Sequence, residues 1–140
     1  MDKDKTRIIF FGDSLTKRSS LMESTDPSHR FALDYCESYV DIFNQNEIRV
    51  IQLSTTPSPN QADKNSILES YDRIIRKRCI KYDNAYVALK EAFIKISDYN
   101  KYRQVPINLF NDGCHRSELG NVLIANKVFE VMIKKMKSLA

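Results

Sequence analysis

Ser14, Asp112 and His115 are the residues of this chain whose types and spacing could do chemistry together. Ser14 follows the apolar run Ile8-Ile9-Phe10-Phe11 directly, after Gly12 and Asp13. A short run of this kind stopped by glycine reads as a buried strand, and in a parallel sheet its carboxyl end opens onto a crevice. Asp112 and His115 lie three residues apart in Asn111-Asp112-Gly113-Cys114-His115-Arg116-Ser117, just before a helical pattern. Attack by a serine hydroxyl needs a base to take its proton, and histidine titrates near neutral pH. That histidine needs a carboxylate to fix its tautomer and to stabilise the imidazolium. Asp112 and His115 fit those roles if their loop folds back over the strand bearing Ser14. Taken singly, each motif would be ordinary: a strand-to-helix turn with a capping serine, and a turn carrying a surface histidine.

The elements that must position them alternate along the chain. Asp26-Pro27 supplies a capping oxygen and a proline suited to a first helical position, and Phe31, Tyr35, Tyr39, Ile42 and Phe43 carry that helix to about Asn44. A strand is expected over Ile48–Leu53, arrested by the proline-containing loop from Ser54 to Asn60. A helix from about Lys64 to Tyr82 follows, its apolar face made by Ile67, Leu68, Tyr71, Ile74, Ile75 and Cys79. Ala85–Leu89 reads as a third strand and Lys90 to about Tyr99 as a helix with Phe93 and Ile96 inward. Pro106–Asn111 reads as a loop or a brief extended piece. A last helix is expected from near Ser117 to about Lys137. Its broad buried face would be Leu119, Val122, Leu123, Ala125, Val128, Phe129, Met132, Ile133 and Met136. Strand and helix in alternation indicate a single α/β domain over residues 1–140, built on a parallel sheet.

Composition narrows the function classes. Hydrophobic residues make up 42% and charged residues 29%, which suits a folded globular chain rather than a disordered one. The net charge of +4 is small, and its clusters at Arg73–Arg78 and Lys134–Lys137 read as solvated helix faces or helix ends. No interleaving of aromatic and basic residues accompanies them, so nucleic acid is not the expected partner. Three cysteines, Cys36, Cys79 and Cys114, show no CxxC spacing, so reduced thiols and a cytoplasmic location are expected, without a metal site. No run is long and apolar enough to span a bilayer. His29, the other histidine, reads as an exposed residue of a first helical turn, and Cys114 as a bystander thiol.

Gly12-Asp13-Ser14-Leu15-Thr16 resembles the signature of the GDSL, or SGNH, family of esterases and lipases, placed as in that family after an N-terminal strand. Asp112-Gly113-Cys114-His115, with Ser117 and Gly120 following, resembles the family's C-terminal block, with Arg116 where proline is common. The strand Ile48–Leu53 leading into Thr55-Thr56-Pro57-Ser58-Pro59 is similar to the isoamyl-acetate-hydrolysing branch. The resemblance implies a three-layer α/β/α, flavodoxin-like fold. It makes Ser14 the nucleophile, His115 the general base and Asp112 its orienting carboxylate. Asp13 then shapes the turn. The implied reaction is hydrolysis of small carboxylic, acetate-type esters through an acyl-enzyme, of the kind met in lipid metabolism, with no metal or cofactor.

Two further blocks of the family, a glycine and a G-x-N-D asparagine, have no counterpart. The only glycines, Gly12, Gly113 and Gly120, belong to the terminal blocks. The sequence therefore resembles a family member shortened by two strands. Its oxyanion donors reduce to the Ser14 backbone N–H and whatever Leu15, Thr56, Asn60 or Asn108 can add. Losing one such donor costs about 2.7–4 kcal/mol of barrier. A sheet shortened in this way would also leave strand edges that favour self-association. A shortened, weakly active or inactive family member kept for binding is the second expectation. A basic module that binds RNA or acidic membranes through its Lys/Arg-rich faces is the third.

Overall fold

The computed structural model describes residues 40–57, 59, 65–113 and 115–138. The readings made for Ser14 and its strand, the helix opened by Asp26 as far as Tyr39, and His29, Cys36, Asn60 and Cys114 fall outside those residues. The described elements run in the order α1 (Ile42–Gln45), β1 (Ile51–Leu53), α2 (Asn65–Tyr82), β2 (Ala85–Val87), α3 (Leu89–Asn100) and α4 (Glu118–Lys137). Among the described residues this is an α/β arrangement of four helices and a two-stranded parallel sheet. Parallel strands need a crossover, and α2 supplies it.

Both strands are shorter than their apolar runs, for reasons visible in their surroundings. Ile51 pairs with Ala85, Gln52 with Tyr86 and Leu53 with Val87. Upstream of Ala85 the chain is still turning out of α2, with Asp83 at a positive φ of 52° and the Asn84 N–H donating to the Cys79 carbonyl. Ile48–Val50 therefore meet no β2 residues to pair with. Downstream, Ala88 already caps α3, so the strand expected to reach Leu89 ends at Val87.

The core forms where the periodicity of α2 places it. Tyr71, Ile75 and Cys79 are buried, and Ile67, Leu68, Ile74 and Tyr86 pack against them. Arg73, Arg76 and Lys77 lie exposed on the other side. Arg76 pairs with Glu91 and stacks over the Tyr86 ring at 4.4 Å, while Arg78 meets Asp41 at 3.3 Å. Beneath α2, Gln52 of β1 is fully buried and its Nε2 approaches Cys79 Sγ at 3.3 Å. Phe93, Leu89 and Ala92 make the buried side of α3, with Ile96 half-buried as expected.

The last helix departs from its expected packing. Leu119, Val122, Phe129, Ile133 and Met136 are exposed, Leu123, Val128 and Met132 are half-buried, Ala125 is exposed, and only Gly120 is buried. A helix can bury one stripe against one neighbour, whereas the apolar residues of α4 spread over most of its circumference. Among the described residues α4 packs chiefly on β2 and α3. The two three-residue strands of the described sheet are too short to cover a 20-residue helix.

Candidate active site

The start of α4 is built to hold the Asp112–His115 loop. Ser117 caps the helix: its Oγ accepts from the Gly120 N–H at 3.1 Å and donates to the Asn108 carbonyl at 2.6 Å. The Ser117 N–H donates to the Leu109 carbonyl at 2.9 Å. Gly120 lies so close to that carbonyl that a Cβ there would overlap it. The loop is then pinched at its base by a Phe110–Arg116 bridge and by the Asn111 N–H donating to the His115 carbonyl at 2.8 Å. At its tip Gly113 adopts a φ of 76°, a conformation that costs glycine little and other residues more.

Within this hairpin-like turn Asp112 and His115 are brought together as the sequence suggested. Asp112 Oδ1 accepts the His115 N–H at 2.7 Å, and Oδ2 stands 2.6 Å from His115 Nδ1. The first contact fixes the turn and the second fixes the ring. With Nδ1–H donating to the carboxylate, Nε2 is left as an acceptor, the state a general base requires. Both side chains are accessible, His115 at 81% and Asp112 at 56%. Ser14, whose proton such a base would take, is outside the described residues, as is Cys114.

Facing this loop is the segment that follows β1, and three consecutive residues tie it to three different elements. Ser54 Oγ accepts the Lys90 N–H at 2.9 Å, capping α3, whose own cap residue Ala88 offers no side-chain bond. Thr55 donates to Asp72 of α2 through its N–H at 2.7 Å and through its hydroxyl at 3.1 Å. Thr56 Oγ1 accepts from Arg116 Nη1 at 3.4 Å, joining this segment to the histidine loop. The histidine loop thus stands at the carboxyl end of β1, where parallel sheets place their sites.

Asp72 is 7% exposed. Burial pushes its carboxyl above the ordinary carboxylate range, and the Thr55 amide and hydroxyl and the Lys90 ammonium oppose that rise. Burial also raises the Tyr86 phenol, with the nearby Asp72 charge adding to the effect. Asp72 and Arg116 are ties around this segment that the sequence reading missed. Asp72 stands four residues after Leu68 and three before Ile75, on the edge of the buried stripe, which is a signal for a carboxylate drawn inward. Arg116 gave no signal beyond replacing a common proline.

Of the side chains considered as extra oxyanion donors, Thr56 lies beside the loop through Arg116, and Asn108 is exposed with its carbonyl bound to Ser117. Among the described residues no cluster of His, Cys, Asp and Glu is placed to hold a metal ion, and no helix is long and apolar enough to cross a membrane. Comparison with protein-family models, with curated proteins and with solved structures finds no match to this chain.

Proposed function

We propose that the chain is a serine esterase of the GDSL, or SGNH, type, an abbreviated α/β/α domain that hydrolyses small carboxylic esters in the cytoplasm. In this reading Ser14 attacks the ester carbonyl, and His115 takes its proton and gives it to the leaving alcohol. Water activated by the same histidine then releases the acyl group from Ser14 as the acid, while Asp112 holds the imidazole. The Ser14 backbone N–H serves the oxyanion. The observation that carries the reading is the Asp112–His115 pair, closed by two short contacts and held at the carboxyl end of the sheet. The test is release of p-nitrophenol from p-nitrophenyl acetate by the purified chain. Ser14→Ala should bring the rate to background, and a fluorophosphonate probe should label the chain only when Ser14 is present. Hydrolysis undiminished in Ser14→Ala would overturn the assignment.

One observation favours a second reading, a shortened and catalytically weak member that binds rather than turns over. The sequence holds no G-x-N-D block and no glycine beyond the terminal motifs, so two of three family oxyanion donors have no counterpart. Each missing donor corresponds to a loss of ~10²–10³ in rate. Slow, substoichiometric probe labelling with measurable ester binding would select this reading, and self-association through an open strand edge would accompany it.

A further inference from the structure

We propose that the exposed face of α4 is the interface of a weak, parallel dimer of this chain, an inference that stands apart from the esterase reading. The apolar residues left uncovered on α4 are not scattered. Leu119, Val122, Phe129, Ile133 and Met136 are 55%, 49%, 62%, 36% and 67% exposed. With Asn126, also exposed, they follow one another at spacings of three, four, three, four and three residues. That is the pattern of a coiled-coil seam, with Leu119, Asn126 and Ile133 at its a positions and Val122, Phe129 and Met136 at its d positions. The side of α4 that packs on β2 and α3 is the opposite one. Ile124 and Val131 occupy the f positions, directly across the helix from the seam, and are half-buried.

Three features point to a second copy as the occupant. The first is Asn126 in the middle of the seam. A single asparagine at an a position suits a parallel dimer, where each amide meets its twin across the interface. Antiparallel pairing sets a against d, so the Asn126 amide would be buried unpaired against Val122, Phe129 or Met136. A lipid surface would bury it against hydrocarbon. The second is charge. Parallel pairing puts Glu118, Ala125 and Met132 of one copy opposite Leu123, Glu130 and Lys137 of the other, so no like charges meet. Glu130 is also paired with Lys127 of its own helix. The third is area. On a scale of roughly 150–250 Å² for a large side chain, the five exposed apolar residues offer on the order of 450 Å² per copy. Two copies reach about 900 Å², near the ~1,000 Å² at which specific interfaces begin. The helix is already folded on its own domain, so association need not order it. Because α4 begins directly after the histidine loop, parallel pairing sets both Asp112–His115 loops at the same end of the dimer.

The experiment is sedimentation equilibrium of the purified chain from about 1 to 500 μM, a range that brackets the micromolar affinity of a small interface. A reversible monomer–dimer equilibrium should appear. Phe129→Glu should weaken it about thirtyfold or more with an unchanged far-UV circular dichroism spectrum. Met136→Glu, at the far end of the seam, should weaken it less. Asn126→Asp and Asn126→Lys should each weaken the homodimer, and an equal mixture of the two should associate more tightly than either alone. A mixture no tighter than its components overturns the parallel pairing. A wild-type chain that stays monomeric throughout, or a dimer that neither Phe129→Glu nor Met136→Glu weakens, overturns the interface. Binding of a monomeric chain to phosphatidylserine vesicles, lost in Phe129→Glu, would also overturn it by assigning the face to a lipid surface.

Discussion

Two aspartates in this molecule make nearly the same hydrogen bonds in opposite surroundings. Asp72 accepts a backbone N–H at 2.7 Å and a side-chain hydroxyl at 3.1 Å, both from Thr55. Asp112 accepts a backbone N–H at 2.7 Å and faces a ring nitrogen at 2.6 Å, both from His115. Asp72 is buried and reaches across 17 residues to join a helix to the end of a strand. Asp112 is exposed and closes a turn only three residues wide. A buried carboxylate stabilises chiefly by satisfying donors that water cannot reach, so its removal is felt in folding. An exposed one contributes little to folding, because water competes for the same donors. What it can contribute is the orientation of its partner. Hydrogen-bond geometry alone does not separate the two roles; exposure and sequence reach do.

The strongest way to break this comparison is Asp112→Asn. Asparagine keeps an oxygen for the His115 N–H, but its amide presents N–H to the ring and favours the wrong tautomer. The proposed esterase activity should fall about 10³–10⁴-fold. Urea unfolding should move by no more than about 0.5 kcal/mol, as for other exposed positions. Activity retained in Asp112→Asn would remove the orienting role. Asp72→Ala should behave in reverse. It leaves the Thr55 N–H and hydroxyl without their acceptor and should cost about 1–3 kcal/mol in urea unfolding. An unchanged midpoint would mean that water reaches Thr55 and that burial does not distinguish the pair.

The contrast also explains what could be seen in the sequence. Asp112 and His115 were legible because their partnership is local: three residues and a glycine suffice to close the turn. The helix α2 was legible because its apolar residues recur at helical spacing, and the start of α4 because Ser117 is a capping residue. Asp72 was not recognised, since its partner lies 17 residues away across a strand end that no periodicity places. The Arg116–Thr56 contact spans 60 residues and was hidden for the same reason. The packing of α4 was misjudged because periodicity reports which residues are apolar, not which neighbour exists to cover them. Phe129 and Met136 carry the pattern of a core and stand exposed.

The smallest effect sharpens the comparison most. Asp72→Asn retains an oxygen for the Thr55 N–H and a polar group for its hydroxyl, so stability should change little at acid pH. The folded-state pKa of Asp72 is raised by burial above its unfolded value. The protonated carboxyl is therefore the better-accommodated form in the folded chain. Its contribution is fully present below the ordinary aspartate value, about pH 3.9, and is lost as pH rises through the folded value. Asparagine has no proton to lose. The stability of the wild type relative to Asp72→Asn should thus decline as pH increases from about 4 and then level, in urea titrations from pH 3.5 to 8. The opposite slope would mean that Thr55 and Lys90 hold the carboxylate more firmly than burial expels it. Asp72 would then be a paired anion rather than a buried acid, and closer in kind to Asp112 than its surroundings imply.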